Sequence, residues 1–189
     1  MIKKVLIVSD SHGKSSNVKI AIDREYPDML IHLGDIEDEP DKIRRWLDEA
    51  AEKYNSHLTS KDSESRISLP VPAIFIQGNC DRYGDYKKEL KQVSVFKLNG
   101  HKFFCSHGHI QGVNMGLTNL MYTALENDCD IAMYGHTHVP FDESFGEEEE
   151  NRVRILNPGS ISLPRGGRRK SYMVMTFFEE GFEVELKEL

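Results

Sequence analysis

Cysteine is scarce in this chain: Cys80, Cys105 and Cys129 are odd in number and show no CxxC spacing. That argues against a disulfide framework and predicts reduced thiols, as in a cytoplasmic protein. Cys80 is expected to be a small buried residue rather than a nucleophile. Positive charge is short as well, with 24 Lys and Arg against 31 Asp and Glu and a formal net charge of −7. A basic face for general nucleic-acid binding is therefore not expected. No apolar run approaches the ~20 residues of a membrane span. The start, Met1 to Val8, lacks the longer apolar stretch and small-residue cleavage site of a secretory signal. Internal repeats and linkers are missing too, so residues 1–189 are expected to form one domain with a substantial core. Together these absences predict a soluble, cytoplasmic protein.

What is present is a series of short apolar runs. Val5 to Ser9 reads as a strand buried on both faces. Ser15 and Ser16 can cap a helix that stops before Pro27, and Met29 to Leu33 forms a second strand, giving a right-handed parallel unit. A helix follows over about Asp41 to Tyr54. Asn55 to Ser68 is polar and Ser-rich and reads as a surface loop, and Val71 to Gln77 is a third strand. Asn99-Gly100 marks a tight hairpin between Val93 to Leu98 and His101 to Ser106. Leu117 to Leu125 is helical in pattern. Further strands are Ile131 to Tyr134, Arg152 to Leu156, Tyr172 to Phe178 and Phe182 to Leu186. The acidic stretch Glu147 to Glu150 reads as a solvated turn. A parallel first half and a hairpin-rich second half predict an α/β fold of two packed β-sheets flanked by helices, a four-layer α/β/β/α sandwich.

Five segments collect one kind of chemistry: Asp10-Ser11-His12, Gly34-Asp35, Gly78-Asn79-Cys80-Asp81, Ser106-His107-Gly108-His109 and Gly135-His136-Thr137-His138. Four of them end an apolar, β-prone run, and the carboxyl ends of strands in open α/β sheets face a common crevice. Asp10-x-His12 and His136-x-His138 are expected to present two ligands on one side of an extended segment. Gly34 can adopt angles closed to other residues and so turn the Asp35 carboxylate inward. Carboxylate, amide oxygen and imidazole together suit Mn, Fe, Co, Ni or Zn better than Ca or Cu(I).

The ordered series DSH, GD, GNCD, SHGH and GHTH, with Asn157-Pro158-Gly159-Ser160 after it, resembles the calcineurin-like metallophosphoesterases over roughly residues 5 to 166. GNCD and Pro164-Arg165-Gly166-Gly167 look most like the small bacterial and archaeal phosphodiesterase branch. The resemblance implies a dinuclear-metal phosphodiesterase in which a metal-bridging hydroxide attacks phosphorus in line. One ion would take Asp10, His12, Asp35 and His138; the other would take Asp35, Asn79, His107 and His136, with Asp35 as the bridge. It implies two divalent transition-metal ions, manganese first, with nickel, cobalt, iron or zinc as alternatives. Asp35, Asn79 and His109 become the catalytic candidates and Arg165 the substrate-binding one. Arg168, Arg169 and Lys170 read rather as a solvated loop.

Many larger relatives carry His where Cys80 stands, as a candidate general acid, and a thiol with an ordinary pKa near 8.5 is a poor substitute. Asp81 is expected to orient Asn79 or a histidine from behind. A small phosphodiester is the expected partner, and relatives imply a homodimer or homotetramer. Two other readings stay open: a metal-binding interaction scaffold of the same fold, as in the retromer subunit resembling this branch, and a phosphomonoesterase or nucleotidase.

Overall fold

The computed structural model describes residues 2–146, 148 and 151–189. Of the acidic stretch read as a solvated turn, Glu147, Glu149 and Glu150 lie outside the described residues, and Glu148 is exposed. Three helices and ten strands are named here in chain order: β1 (Lys4–Val8), α1 (Ser15–Glu25), β2 (Met29–His32), α2 (Pro40–Ser56), β3 (Ala73–Phe75), β4 (Val93–Leu98), β5 (His101–Ser106), α3 (Thr118–Glu126), β6 (Ile131–Met133), β7 (Pro140–Phe145), β8 (Val153–Pro158), β9 (Ser171–Phe178) and β10 (Gly181–Glu188).

One sheet has the order β10-β9-β1-β2-β3 and the other β4-β5-β6-β8-β7. Side chains alternate across a strand, and both faces of each central strand are covered. Val5, Ile7, Met29 and Ile31 face the space between the sheets, where they meet Phe103, Cys105, Ile131, Met133 and Leu156. Leu6, Val8 and Leu30 face the other way, onto Val18 and Ile22 of α1 and Ile43 and Leu47 of α2. Phe104, Ala132 and Ile155 face Leu120 and Ala124 of α3. The result is the expected four-layer α/β/β/α sandwich, and its continuous apolar runs are the signature of strands buried on both faces.

The two sheets do not divide the chain into halves. The C-terminal hairpin β9-β10 joins the first sheet, with β9 antiparallel to β1 (Val5 opposite Met175). β1, β2 and β3 run parallel, as do β5, β6 and β8. Asn99 and Gly100 both have positive φ, as the tight β4-β5 turn requires. Two local expectations are corrected, and one strand is added. Ser15 makes no helix cap; its hydroxyl bonds the Asp38 carboxylate instead. The polar stretch after Asn55 is partly helical, since α2 runs to Ser56 and a short 3-10 segment spans Ser60–Ser65. Pro140–Phe145, assigned no element above, is an edge strand with a mostly exposed pattern. No helix among the described residues is long and apolar enough to cross a membrane.

Candidate metal centre

The carboxyl ends of β1, β2, β3, β5 and β6 bring the predicted residues into one crevice. Asp10, His12 and His138 offer ligand atoms that all lie within 4.8 Å of one another, and so do Asp10, Asp35 and His107. His138 Nε2 is 3.2 Å from Asp10 Oδ1 and 3.3 Å from His12 Nε2. His107 Nε2 is 3.4 Å from Asp35 Oδ2 and 3.2 Å from Asn79 Oδ1. His136 anchors the crevice differently: its backbone N–H donates to Asp10 Oδ2, and its Nε2 lies 2.8 Å from the Asn114 amide. Its ring stands 5.2 Å from that of His107.

This convergence does not come from strand alternation, as the sequence suggested. Asp10, His12, Asp35, His136 and His138 all have φ between 46° and 65°. Left-handed backbone is uncommon for residues with a Cβ, and such conformations cluster at functional sites where the surroundings enforce them. The enforcement here is visible. The backbone N–H groups of Asp10 and His12 donate to the Gly34 and Asp35 carbonyls of the next loop. Ser160 Oγ donates to the Asp10 carbonyl, and the Asn157 amide donates to the Gly135 carbonyl, so the Asn157 to Ser160 segment ties the β1 and β6 loops together. A Cβ on Gly78 would lie 2.0 Å from Asp35 Oδ1, and one on Gly34 would lie 2.5 Å from His107 Nδ1. Those two glycines keep the space that the Asp35 and His107 side chains fill.

The donor set fits a cation. A buried polar group without a partner is costly, and a buried charge more so. Asp10 is fully buried, and its Oδ1 has no hydrogen-bond partner among the described residues. Three imidazoles have their protons fixed on the far side of the ring. His107 Nδ1 donates to the Leu33 carbonyl (2.7 Å), His138 Nδ1 to the Leu163 carbonyl (2.5 Å), and His12 Nδ1 to Glu37 Oε1 (2.5 Å). When neutral, each ring turns an Nε2 lone pair toward the carboxylates, an arrangement that becomes favourable with a metal between them.

The titration behaviour reports the same negative well. Burial disfavours charge on His107 and His138, yet Asp35 and Asp10 around His107, and Asp10 beside His138, pull both pKa values upward. Burial would raise Asp35, but neighbouring His107 and the hydrogen bond from the Cys80 N–H hold it well below the usual carboxylate range. Burial pushes His109 down, as does neighbouring His107.

Several flanking residues take roles the sequence did not reveal. His32 lies inside a buried apolar strand, where desolvation pushes its pKa down to about 4 against the pull of Asp81 and Asp10. The Gly34 N–H donates to its Nδ1, so Nε2 carries the proton and donates to Ser11 Oγ, which donates in turn to the Ile36 carbonyl. Asp81 accepts from the Glu37 and Gly78 N–H groups, bracing the Gly34-Asp35 and Gly78-Asn79 loops rather than orienting a histidine. Cys80 is exposed, not buried as expected, and its N–H donates to Asp35 Oδ1. Partial burial, with Asp35 nearby, pushes its thiol up to about 12. His109 stands with its ring 5.3 Å from that of His107. Arg165 holds the His138 carbonyl through its backbone N–H and keeps its side chain exposed. Arg169 pairs with Glu188, consistent with the solvated reading of that loop.

The calcineurin-like phosphoesterase superfamily domain matches the chain over residues 4–180. A probable metallophosphoesterase of Bacillus subtilis, YsnB, is 32% identical over 182 residues, covering 95% of this chain and 88% of its own. The phosphodiesterase YfcE of Escherichia coli is 29% identical over 176 residues, covering 89% and 85%. Among solved structures, a predicted phosphoesterase from Streptococcus pneumoniae superposes with a TM-score of 0.72 at 29% identity, covering all of this chain and 90% of the other.

Proposed function

This chain belongs to the calcineurin-like phosphoesterase superfamily, a family of divalent-metal-dependent phosphoester hydrolases, and we propose that it is a dinuclear-metal phosphodiesterase. The observation that carries the reading is the convergence of three fixed imidazole lone pairs on two buried carboxylates, one of whose oxygens has no partner. Asp10, His12, Asp35 and His138 would hold one ion, and Asp35, Asn79, His107 and His136 the other, within one phosphoesterase domain spanning residues 1–189. Two divalent transition-metal ions, manganese first, would there supply Lewis-acid charge at phosphorus and a water acidic enough to attack it in line at neutral pH.

The chain's own residues do the remaining work. Asp35 shares its carboxylate between the two ligand groups, and its Cys80 hydrogen bond fixes the plane in which it does so. Leu33, Leu163 and Glu37 hold the imidazoles in one orientation, with Nε2 toward the carboxylates. His109 stands beside Asn79, placed to hydrogen-bond an ester oxygen of the substrate. Arg165, exposed beside His138, supplies a guanidinium fork for a phosphate oxygen. A diester is favoured because the centre's immediate walls carry few cations, whereas a monoester brings more charge. The diester named for YfcE points the same way.

Chelator-stripped protein supplied separately with Mn, Ni, Co, Zn or Mg should hydrolyse bis(p-nitrophenyl) phosphate only after a transition metal is restored. The diester should exceed the matched monoester by at least about tenfold in rate, ~1.4 kcal/mol in barrier. Equal rates would refute the diester assignment. Folded protein that binds two ions and turns over no phosphoester would refute catalysis and favour a scaffold.

A further inference from the structure

A cleft of about 180 Å³ opens off the centre at Asn79, lined by Gln77, Gly78, Asn79, Arg82, Gln92 and His109. Every side chain in it is polar. Arg82 is its one charged group among the described residues, and no carboxylate lines it. In a chain of net charge −7 such a wall is unusual. Its position is informative: Asn79 Oδ1 sits 3.2 Å from His107 Nε2, so the cleft begins where the candidate metal ligands end.

Arg82 is held ready for a ligand. Its Nε donates to the Asn79 carbonyl at 2.6 Å, which fixes the guanidinium plane against the ligand loop. The terminal nitrogens make no hydrogen bond or ion pair among the described residues. A guanidinium used only through Nε keeps its two-pronged edge for an anion, and that edge matches a phosphate bidentately. Beside it, His109 Nδ1 is buried and has no hydrogen-bond partner. The Arg82 guanidinium edge and the His109 ring thus line one cleft with no hydrogen-bond partner among the described residues beyond the Arg82 Nε bond, which leaves them for an oxygen-rich anionic group. Exposed Arg165 stands at the opposite, His138 side of the centre, so a phosphodiester seated on the metals would send one arm to each side.

Resting on the phosphodiesterase reading, the geometry points to the Arg82 cleft as the subsite for one arm of the substrate, selecting an arm that bears a second phosphate group. A matched pair of chromogenic diesters tests this: thymidine 5′-(p-nitrophenyl phosphate), and the same compound carrying a 3′-phosphate. With manganese-loaded protein, the 3′-phosphate should raise kcat/KM about 10- to 100-fold, the range for a charged hydrogen-bonded contact. Arg82→Gln should bring the ratio of the two substrates close to one, and Arg82→Lys should restore part of it. A ratio near one in the unaltered protein, or one unmoved by Arg82→Gln, overturns the assignment.

Calorimetry separates this from the hydrolase reading. Thymidine 3′,5′-bisphosphate should bind at least about tenfold tighter than thymidine 5′-monophosphate, and Arg82→Gln should abolish the difference. If no diester is hydrolysed but that difference stands, the phosphodiesterase reading fails and the subsite survives. If diesters are hydrolysed and both nucleotides bind equally, the subsite fails alone.

Discussion

Glu37→Gln removes the charge beside His12 while keeping the length of the side chain. In the native protein Glu37 Oε1 is 2.5 Å from His12 Nδ1, and the Glu37 backbone is fixed in turn by the Asp81 carboxylate. A carboxylate behind a ligand imidazole raises its basicity and locks its orientation, and losing such a partner typically lowers metal affinity by about 10- to 100-fold. That is roughly 1.4–2.7 kcal/mol. The Glu37 side chain is 39% exposed, so solvent screens its charge and the lower end of the range applies. Glutamine still accepts the Nδ1 proton, so Glu37→Gln should cost about tenfold. Alanine also removes the orienting acceptor and should cost more. Calorimetric titration of Mn²⁺ into stripped protein resolves the effect. His12 belongs with Asp10 and His138, whereas Asn79 and His107 lie on the other side of Asp35, so only one of two binding steps should weaken. Equal weakening of both steps, or no change in Glu37→Ala, would refute the reasoning.

Acidity gives a second handle. His107 and His138 titrate above the ordinary histidine value without metal, so their imidazolium forms stabilise the metal-free fold fully below about pH 6.5. That stability is lost as pH rises through the raised values, so the metal-free Tm should fall as pH climbs above about 6.5. Metal has to displace the same protons, so its affinity should climb across the same window, measurable by titration in buffers of different ionisation enthalpy. Gly135→Ala places a Cβ 2.0 Å from Ser9 Oγ and 2.9 Å from Asp10 Oδ2. It should destabilise the fold by about 1–3 kcal/mol in urea unfolding and abolish one binding step; a fully loaded, unshifted variant would contradict that geometry. His32→Leu strands the Gly34 N–H and removes the donor to Ser11, a loss of about 2–4 kcal/mol by denaturation. An unchanged midpoint would mean the His32 network is dispensable.

The sequence exposed the groups whose chemistry is local and hid those defined by partners far along the chain. Asp10, Asp35, His107 and His138 could be picked out because each follows an apolar run and is of a ligand type. The Asn99-Gly100 turn was legible for the same reason. His32 was invisible because a histidine inside an apolar strand has no distinguishing neighbour in sequence; its partners, Ser11 and Gly34, come from two different loops. Glu37 and Arg82 stood among other charged residues, and only the folded backbone shows that one reaches His12 and the other Asn79. Cys80 was expected to be buried because a lone cysteine usually is, whereas its place in the loop leaves the residue exposed. The left-handed angles at Asp10 and His12 contradict the extended geometry that their spacing implied, because the hydrogen bonds enforcing them come from the second loop. Strand pairing of β9 with β1 joins residues about 170 positions apart, and no periodicity records that.

The two sheets meet at the crevice like the covers of a half-open book. Asp10, His12, Asp35 and Asn79 hang from the first cover, and His107, His136 and His138 from the second. A bound centre would therefore act as a clasp as well as a reagent. Unclasped, the covers remain glued along the spine by Ile7, Ile31, Phe103 and Met133, while hydrogen bonds such as those from Ser160 and His136 to Asp10 join them at the margin. Amide exchange should follow that gradient, with the crevice loops quickening on chelation and the inter-sheet core standing still.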